Sequence, residues 1–187
     1  MRLFIALWPD DSAVAALQSW ARAAQTALGG RIMRPADMHL TLAFLGKASE
    51  ARAQALAAAL AGWPCAGRAF TLTRVGVFER ARVAWAGPAE EGCAQDELAW
   101  LHRLHDNLWC RLEGLGWQRD TRPFRPHISL LRGIRGGEKW SPRPAPVICH
   151  PVDCRLVASR PTHDASHYEV LARLPVSPVK GFREERQ

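Results

Sequence analysis

The chain has no Cys-x-x-Cys pair, and its five cysteines, Cys65, Cys93, Cys110, Cys149 and Cys154, are an odd number scattered along 187 residues. That pattern suggests neither a disulfide framework nor a zinc ribbon, and it predicts reduced, mostly buried thiols. Long apolar runs are also missing: none approaches the ~20 residues needed to cross a bilayer, and residues 1–8 read as a strand, not a signal peptide. No membrane partner is expected, and the location expected is cytoplasmic. Lysine is scarce, with Lys47, Lys139 and Lys180 the only three among 25 basic residues. Arginine therefore carries the positive charge.

Basic residues exceed acidic ones by 25 − 18 = 7, and the isoelectric point is near 9.8. A surplus of this size attracts polyanions over long range, and the planar guanidinium suits phosphate oxygens. A genome that favours arginine codons would leave the same excess. With 48% hydrophobic and 23% charged residues the composition is that of an ordinary globular protein.

The stretch that organises the chain is His39-Leu40-Thr41-Leu42-Ala43-Phe44-Leu45-Gly46, whose core returns as His127-Ile128-Ser129-Leu130. In an extended strand His39 and Thr41 share one face, while Leu40, Leu42 and Phe44 share the other. His127 and Ser129 pair off in the same way. The copies are 127 − 39 = 88 residues apart, and each follows an Arg-Pro dipeptide, Arg34-Pro35 and Arg125-Pro126. One His-x-Thr arises easily by chance; two with the same approach indicate an internal duplication.

Around these motifs the hydrophobic pattern predicts a strand at 2–8, then a helix capped among Asp10, Asp11 and Ser12 that runs to about Leu28 with Val14, Leu17, Ala21, Ala24 and Leu28 inward. A strand at 38–45 is followed by a helix at 50–61. Two strands at 69–78 and 82–87 turn at Glu79-Arg80-Ala81, with Trp85 expected in the core or stacking beside the cleft. The third helix spans 95–113, its inward stripe being Leu98, Leu101, Leu104, Leu108 and Leu112. A strand at 127–132, a loop at 133–146 carrying Arg135, Lys139 and Arg143, strands at 147–158 and 167–174, and a frayed tail at 180–187 complete the chain. Helices alternating with hairpins, without a regular βαβ repeat, predict an α+β fold with antiparallel sheets. At 187 residues, 1–187 suits one domain, or two small lobes that share a single core.

The stretches Arg2 to Pro9, Arg34 to Gly46, Arg122 to Arg132 and Leu156 to Arg160, with Tyr168-Glu169-Val170-Leu171, resemble the two-histidine (HxTx) phosphoesterase superfamily, most closely its bacterial and archaeal RNA 2′,3′-cyclic phosphodiesterases, first described as 2′-5′ RNA ligases. Ser129 stands where that family usually has threonine; the hydroxyl is kept. The resemblance implies two lobes related by a pseudo-twofold, a cleft between them, and no metal or other cofactor. It further implies that His39 donates a proton to the leaving 3′ oxygen and His127 accepts one from water, giving a 2′-phosphate, with 2′-5′ ligation as the reverse reaction. From residues alone the acid and the base are interchangeable. Thr41 and Ser129 are expected to donate to the phosphate oxygens, and Arg125, Arg132 and Phe44 to bind substrate. The expected partner is RNA ending in a 2′,3′-cyclic phosphate, met by a monomer. Three rival readings stand beside this one: a non-catalytic RNA-binding module of the same fold, a phosphodiesterase for small cyclic nucleotides or 2′-5′ oligonucleotides, and a zinc enzyme built on His102, His105 and a cysteine such as Cys110.

Overall fold

A computed structural model describes residues 1–89, 95–135, 144–161 and 166–178. Strand β1 (Arg2–Pro9) has nearly every side chain buried, because it lies inside the sheet between β10 and β3 and packs into an apolar cluster on each of its faces. Leu3, Ile5 and Leu7 point into the main core, whereas Phe4, Ala6 and Trp8 form a second apolar cluster with Val157 on the opposite face. That second cluster lies under the first motif. Helix α1 (Asp11–Leu28) follows, its N-terminus capped by Asp10, whose carboxylate accepts from the Ala13 amide. Its buried face holds Ala13 in place of the expected Val14, which is half-buried, together with Leu17, Ala21, Ala24 and Leu28.

After β2 (Arg31–Ile32), a 3-10 turn (Pro35–Asp37) leads into β3 (Leu40–Lys47). Helix α2 (Glu50–Leu60), short strands β4 (Cys65–Gly67) and β5 (Phe70–Leu72), the hairpin of β6 (Arg74–Phe78) and β7 (Val83–Gly87), and helix α3 (Gln95–Gly114) come next. Then follow β8 (Ile128–Arg132), β9 (Val147–Cys149), β10 (Pro151–Pro161), β11 (Ser166–Leu174) and β12 (Val176–Pro178). The main sheet runs β11-β10-β1-β3-β8-β7-β6, with β2 also on β8, and all its pairings are antiparallel. This is the α+β fold that the alternation of helices and hairpins predicted.

Two expected strands are each broken in two. Residues 69–78 divide at Thr73, so that β5 pairs with β9 and β6 pairs with β7, and residues 147–158 divide at His150 for the complementary reason. Apolar periodicity reads both halves as one run, because it carries no information on which partner each half will find. On α3, Leu98 and Leu104 are only half-buried, and Trp100, His105 and Trp109 share the inward face with Leu101, Leu108 and Leu112. The expectations for Cys93, Lys139, Arg143 and the tail at 180–187 fall outside the described residues.

Candidate functional site

The two motifs meet at a single antiparallel pair, Leu40 opposite Ile128. Both histidines come one residue before their strands, which begin at Leu40 and Ile128 and not at the expected 38 and 127. Carrying the register one place either way sets His39 across from Ser129 and Thr41 across from His127. Leu40 and Ile128 are fully buried, whereas His39, Thr41, His127 and Ser129 are partly exposed and line one cavity of about 950 Å³. The predicted split of faces holds at the heart of both motifs.

It changes three residues later, in the same way in each copy. Against β1 the register slips between Ala6/Thr41 and Ile5/Ala43, which leaves Leu42 as an extra residue; against β7 it slips between Trp85/Ser129 and Ala84/Leu131, which leaves Leu130 as the extra one. Both are β-bulges at the leucine of the His-x-hydroxyl-Leu sequence. Each bulge puts two successive residues inward, Leu42 with Ala43 and Leu130 with Leu131, all buried. The residue after each pair is thereby cast onto the cleft face. Phe44, which strict alternation places with Leu40 and Leu42, is instead 52% exposed and lines the cavity, as does its counterpart Arg132. A bulge leaves no mark in the hydrophobic pattern beyond two adjacent inward residues, so sequence alone missed it.

Aromatic packing holds each imidazole. His39 stacks on Phe4 at 4.9 Å, lies 4.9 Å from Trp8, and meets Tyr168 edge-on at 5.8 Å. Trp8 also donates its Nε1–H to the Ala36 carbonyl at 3.0 Å, which fixes the turn that delivers His39. On the other side Phe78 and Trp85 both approach His127 edge-on, at 4.9 and 6.3 Å. Trp85 is thus neither pure core nor part of the cavity lining: it backs a histidine. Sequence reasoning gave no role to Phe4, Trp8, Phe78 or Tyr168. The only available signal was that Phe4, Trp8 and Tyr168 lie in stretches shared with the resembling family.

Electrostatics distinguish the two rings. Burial pushes the His39 imidazole down to about 4, and the charges of Arg132 and His127 press the same way, against the Asp37 backbone and carboxylate. His127 is lowered too, first by burial and then by Arg132, while the Arg125 carbonyl works to raise it. That carbonyl accepts a 2.7 Å hydrogen bond from His127 Nδ1, so the neutral ring carries its hydrogen on Nδ1 and leaves the Nε2 lone pair free. The Asp37 carbonyl holds the equivalent place two residues before His39. There, however, Nδ1 is buried without a partner in hydrogen-bonding geometry, so its support is the weaker. Arg125 and Arg132 have no ion-pair partner among the described residues, and both line the cavity.

The other histidine pair, His102 and His105, packs against one aromatic ring. His105 stacks on Phe124 at 4.0 Å, His102 meets the same ring edge-on at 5.3 Å, and Arg119 donates to His105 Nδ1 at 3.0 Å. No group of three or more His, Cys, Asp or Glu side chains arranged to hold a metal ion occurs among the described residues.

The profile of the LigT like Phosphoesterase family matches residues 7–85. An RNA 2′,3′-cyclic phosphodiesterase of Archaeoglobus fulgidus is 29% identical over 135 residues, covering 71% of this chain and 72% of the relative. One from Escherichia coli K12 is 34% identical over 103 residues, 55% of each. The crystal structure of E. coli LigT complexed with 3′-AMP superposes with a TM-score of 0.74 at 28% identity, over 94% of this chain and 98% of that one. Two histidine motifs that share even the position of their bulge, in a fold that follows a solved LigT almost from end to end, carry the likeness of this chain to the LigT-like phosphoesterases.

Proposed function

We propose that the protein is a phosphoric diester hydrolase that opens the 2′,3′-cyclic phosphate at the end of an RNA strand, a reading supported by its likeness to RNA 2′,3′-cyclic phosphodiesterases. The observation that carries this reading is the pair of imidazoles in one cavity, each with a hydroxyl beside it and close enough together that the charge of His127 resists protonation of His39. In-line displacement at phosphorus needs a base on one side and an acid on the other. His127, with its Nε2 lone pair free, takes the proton from the attacking water; the new O–P bond forms, the P–O3′ bond breaks, and His39 delivers a proton to O3′. The product is a 2′-phosphate. In the free protein burial keeps His39 neutral, so its donor form arises when the phosphodiester anion sits beside it and offsets the desolvation.

Thr41 and Ser129 donate hydrogen bonds to the two non-bridging oxygens, where charge grows in the transition state. Arg132 supplies a fixed positive charge on the same face, Arg125 contacts the sugar-phosphate backbone, and Phe44 offers an exposed ring to the terminal base. Ligation of a 2′-5′ bond is the reverse of the same step. We further propose that 1–187 acts as one two-lobed unit, as a monomer, in the cytoplasm; the free thiols of Cys65, Cys110, Cys149 and Cys154 suit a reducing compartment.

The test is to incubate an oligonucleotide carrying a terminal 2′,3′-cyclic phosphate with the protein in EDTA and follow the products by phosphorus NMR. A 2′-phosphate resonance is expected. A 3′-phosphate would reverse the proposed leaving group, and the absence of turnover would leave the binding-module reading in its place.

A further inference from the structure

The cavity extends well past the two histidines, along the segment between α3 and β8, where Arg119, Phe124 and Arg125 also line it. This segment has no regular secondary structure before Ile128, so side-chain packing must fix the orientation of anything it presents. Phe124 is held unusually firmly for such a position. One face of its ring lies on His105 at 4.0 Å and only 10° from parallel, while His102 closes its edge. His105 is itself only 6% exposed and is anchored through Nδ1 by Arg119, which also pairs with Asp106. Phe124 remains half-buried and lines the cavity, so the result is a braced aromatic surface on the cleft wall. Neither metal binding nor the proposed proton transfers use it.

The neighbouring charges divide into two kinds. Arg119 pairs with Asp106 and Arg122 with Asp120, which cancels most of their field. Arg125, adjacent to Phe124 in the chain, has no such partner among the described residues and remains available to a phosphate. A fixed aromatic ring beside an unpaired guanidinium is the combination that holds single-stranded nucleic acid, the ring taking a base and the cation the backbone.

We propose that Phe124, braced by His105, is a stacking subsite for the base of the nucleotide that precedes the cyclic-phosphate-bearing one, with Arg125 on the phosphate between the two. The substrate is then an RNA strand of at least two nucleotides, and a lone nucleoside cyclic phosphate is a poor one. This rests on the activity proposed above.

The experiment compares kcat/KM for a nucleoside 2′,3′-cyclic phosphate, the corresponding diribonucleotide, and a dinucleotide whose first residue is abasic. The wild-type protein should prefer the diribonucleotide over the mononucleotide by about 5- to 150-fold, the range for stacking one base on an aromatic ring, and should lose most of that preference with the abasic compound. Phe124→Leu keeps apolar volume and removes the π face, so it should abolish the preference while the mononucleotide rate moves less than twofold. Phe124→Trp should retain it. Equal use of mono- and dinucleotide by the wild type, or a preference that survives in Phe124→Leu, overturns the subsite. So does an equal loss on both substrates in Phe124→Leu. If no substrate turns over, the proposed activity fails by itself, and the subsite is judged by affinity for a dinucleotide 3′-monophosphate against a nucleoside 3′-monophosphate. A ratio near one that Phe124→Leu leaves unchanged then refutes it.

Discussion

Placing a methyl group at Gly76 should disable the site without unfolding the protein. Gly76 faces Trp85 across the β6–β7 pair, and a Cβ there would sit 2.2 Å from Cζ2 and 2.6 Å from Cε2 of the indole. Ordinary contact begins at 3.4 Å, so the ring must retreat by 3.4 − 2.2 = 1.2 Å. It has little room to do so. Phe78 stacks on it at 5.3 Å, the Arg74 guanidinium lies 5.6 Å from its centre, and Gly87 touches its far edge, where a Cβ would lie only 2.7 Å from Cζ3. The movement is therefore passed to His127, whose ring meets the indole edge-on. Overpacking of this kind costs about 1–3 kcal/mol, less than the roughly 5–15 kcal/mol that holds a typical domain together. A catalytic group misplaced by about 1 Å costs on the order of 10²-fold. Gly76→Ala should thus remain folded by circular dichroism, melt a few degrees lower, and lose about 10²-fold in kcat/KM on a cyclic-phosphate oligonucleotide. The matched control is Gly114→Ala, at a helical position where a Cβ meets nothing within 4 Å, and it should keep full activity. A folded Gly76→Ala protein within threefold of wild type would refute the idea that Trp85 positions His127.

The remaining expectations concern charge and protonation. Replacing Thr41 by valine or Ser129 by alanine should each lower kcat by about 10²–10³-fold in steady-state assays while leaving thermal stability nearly unchanged. Arg132 depresses both imidazoles, so Arg132→Met should move the kcat/KM–pH profile to higher pH as well as lowering its height; an unmoved profile would contradict the electrostatic coupling. His39 also links folding to pH. Its folded-state pKa of about 4 lies below the usual 6.5, so between these values the unfolded chain binds a proton that the folded chain does not, and stability falls as pH drops. Between pH 7 and 4.5 this contributes a loss of about 2 kcal/mol that His39→Asn should lack, as measured by urea unfolding at the two pH values.

The α+β class, the sheet-forming motifs and the faces of His39, Thr41, His127 and Ser129 were all legible, because period-two alternation and the repeat of a short motif are local properties. The bulges at Leu42 and Leu130 were not. They arise from register against β1 and β7, partners distant in sequence, and they alone bring Phe44 to the cleft and give Arg132 its matching place. The same limit explains the divided strands at Thr73 and His150. Tyr168 and Phe4 looked like ordinary strand residues, and only their convergence on one ring distinguishes them. The spacing of His102 and His105 favours two histidines on a partly solvated helix over metal ligands, and it does not show that His105 is buried against a ring. Phe124, some twenty residues further along an irregular segment, is the ring that both histidines meet, and no local pattern places it there.

The most direct test of two-imidazole catalysis is the pH dependence of kcat/KM in EDTA for the wild type, His39→Ala, His127→Ala and the double variant, on one cyclic-phosphate oligonucleotide. The wild type should give a bell whose two limbs both lie below about 6.5, since each ring is lowered by burial, and each single variant should fall by about 10²–10⁴-fold and lose one limb. The double variant should be little worse than the singles, because the two groups act in one step. A single variant that keeps wild-type turnover with an intact bell would contradict the account.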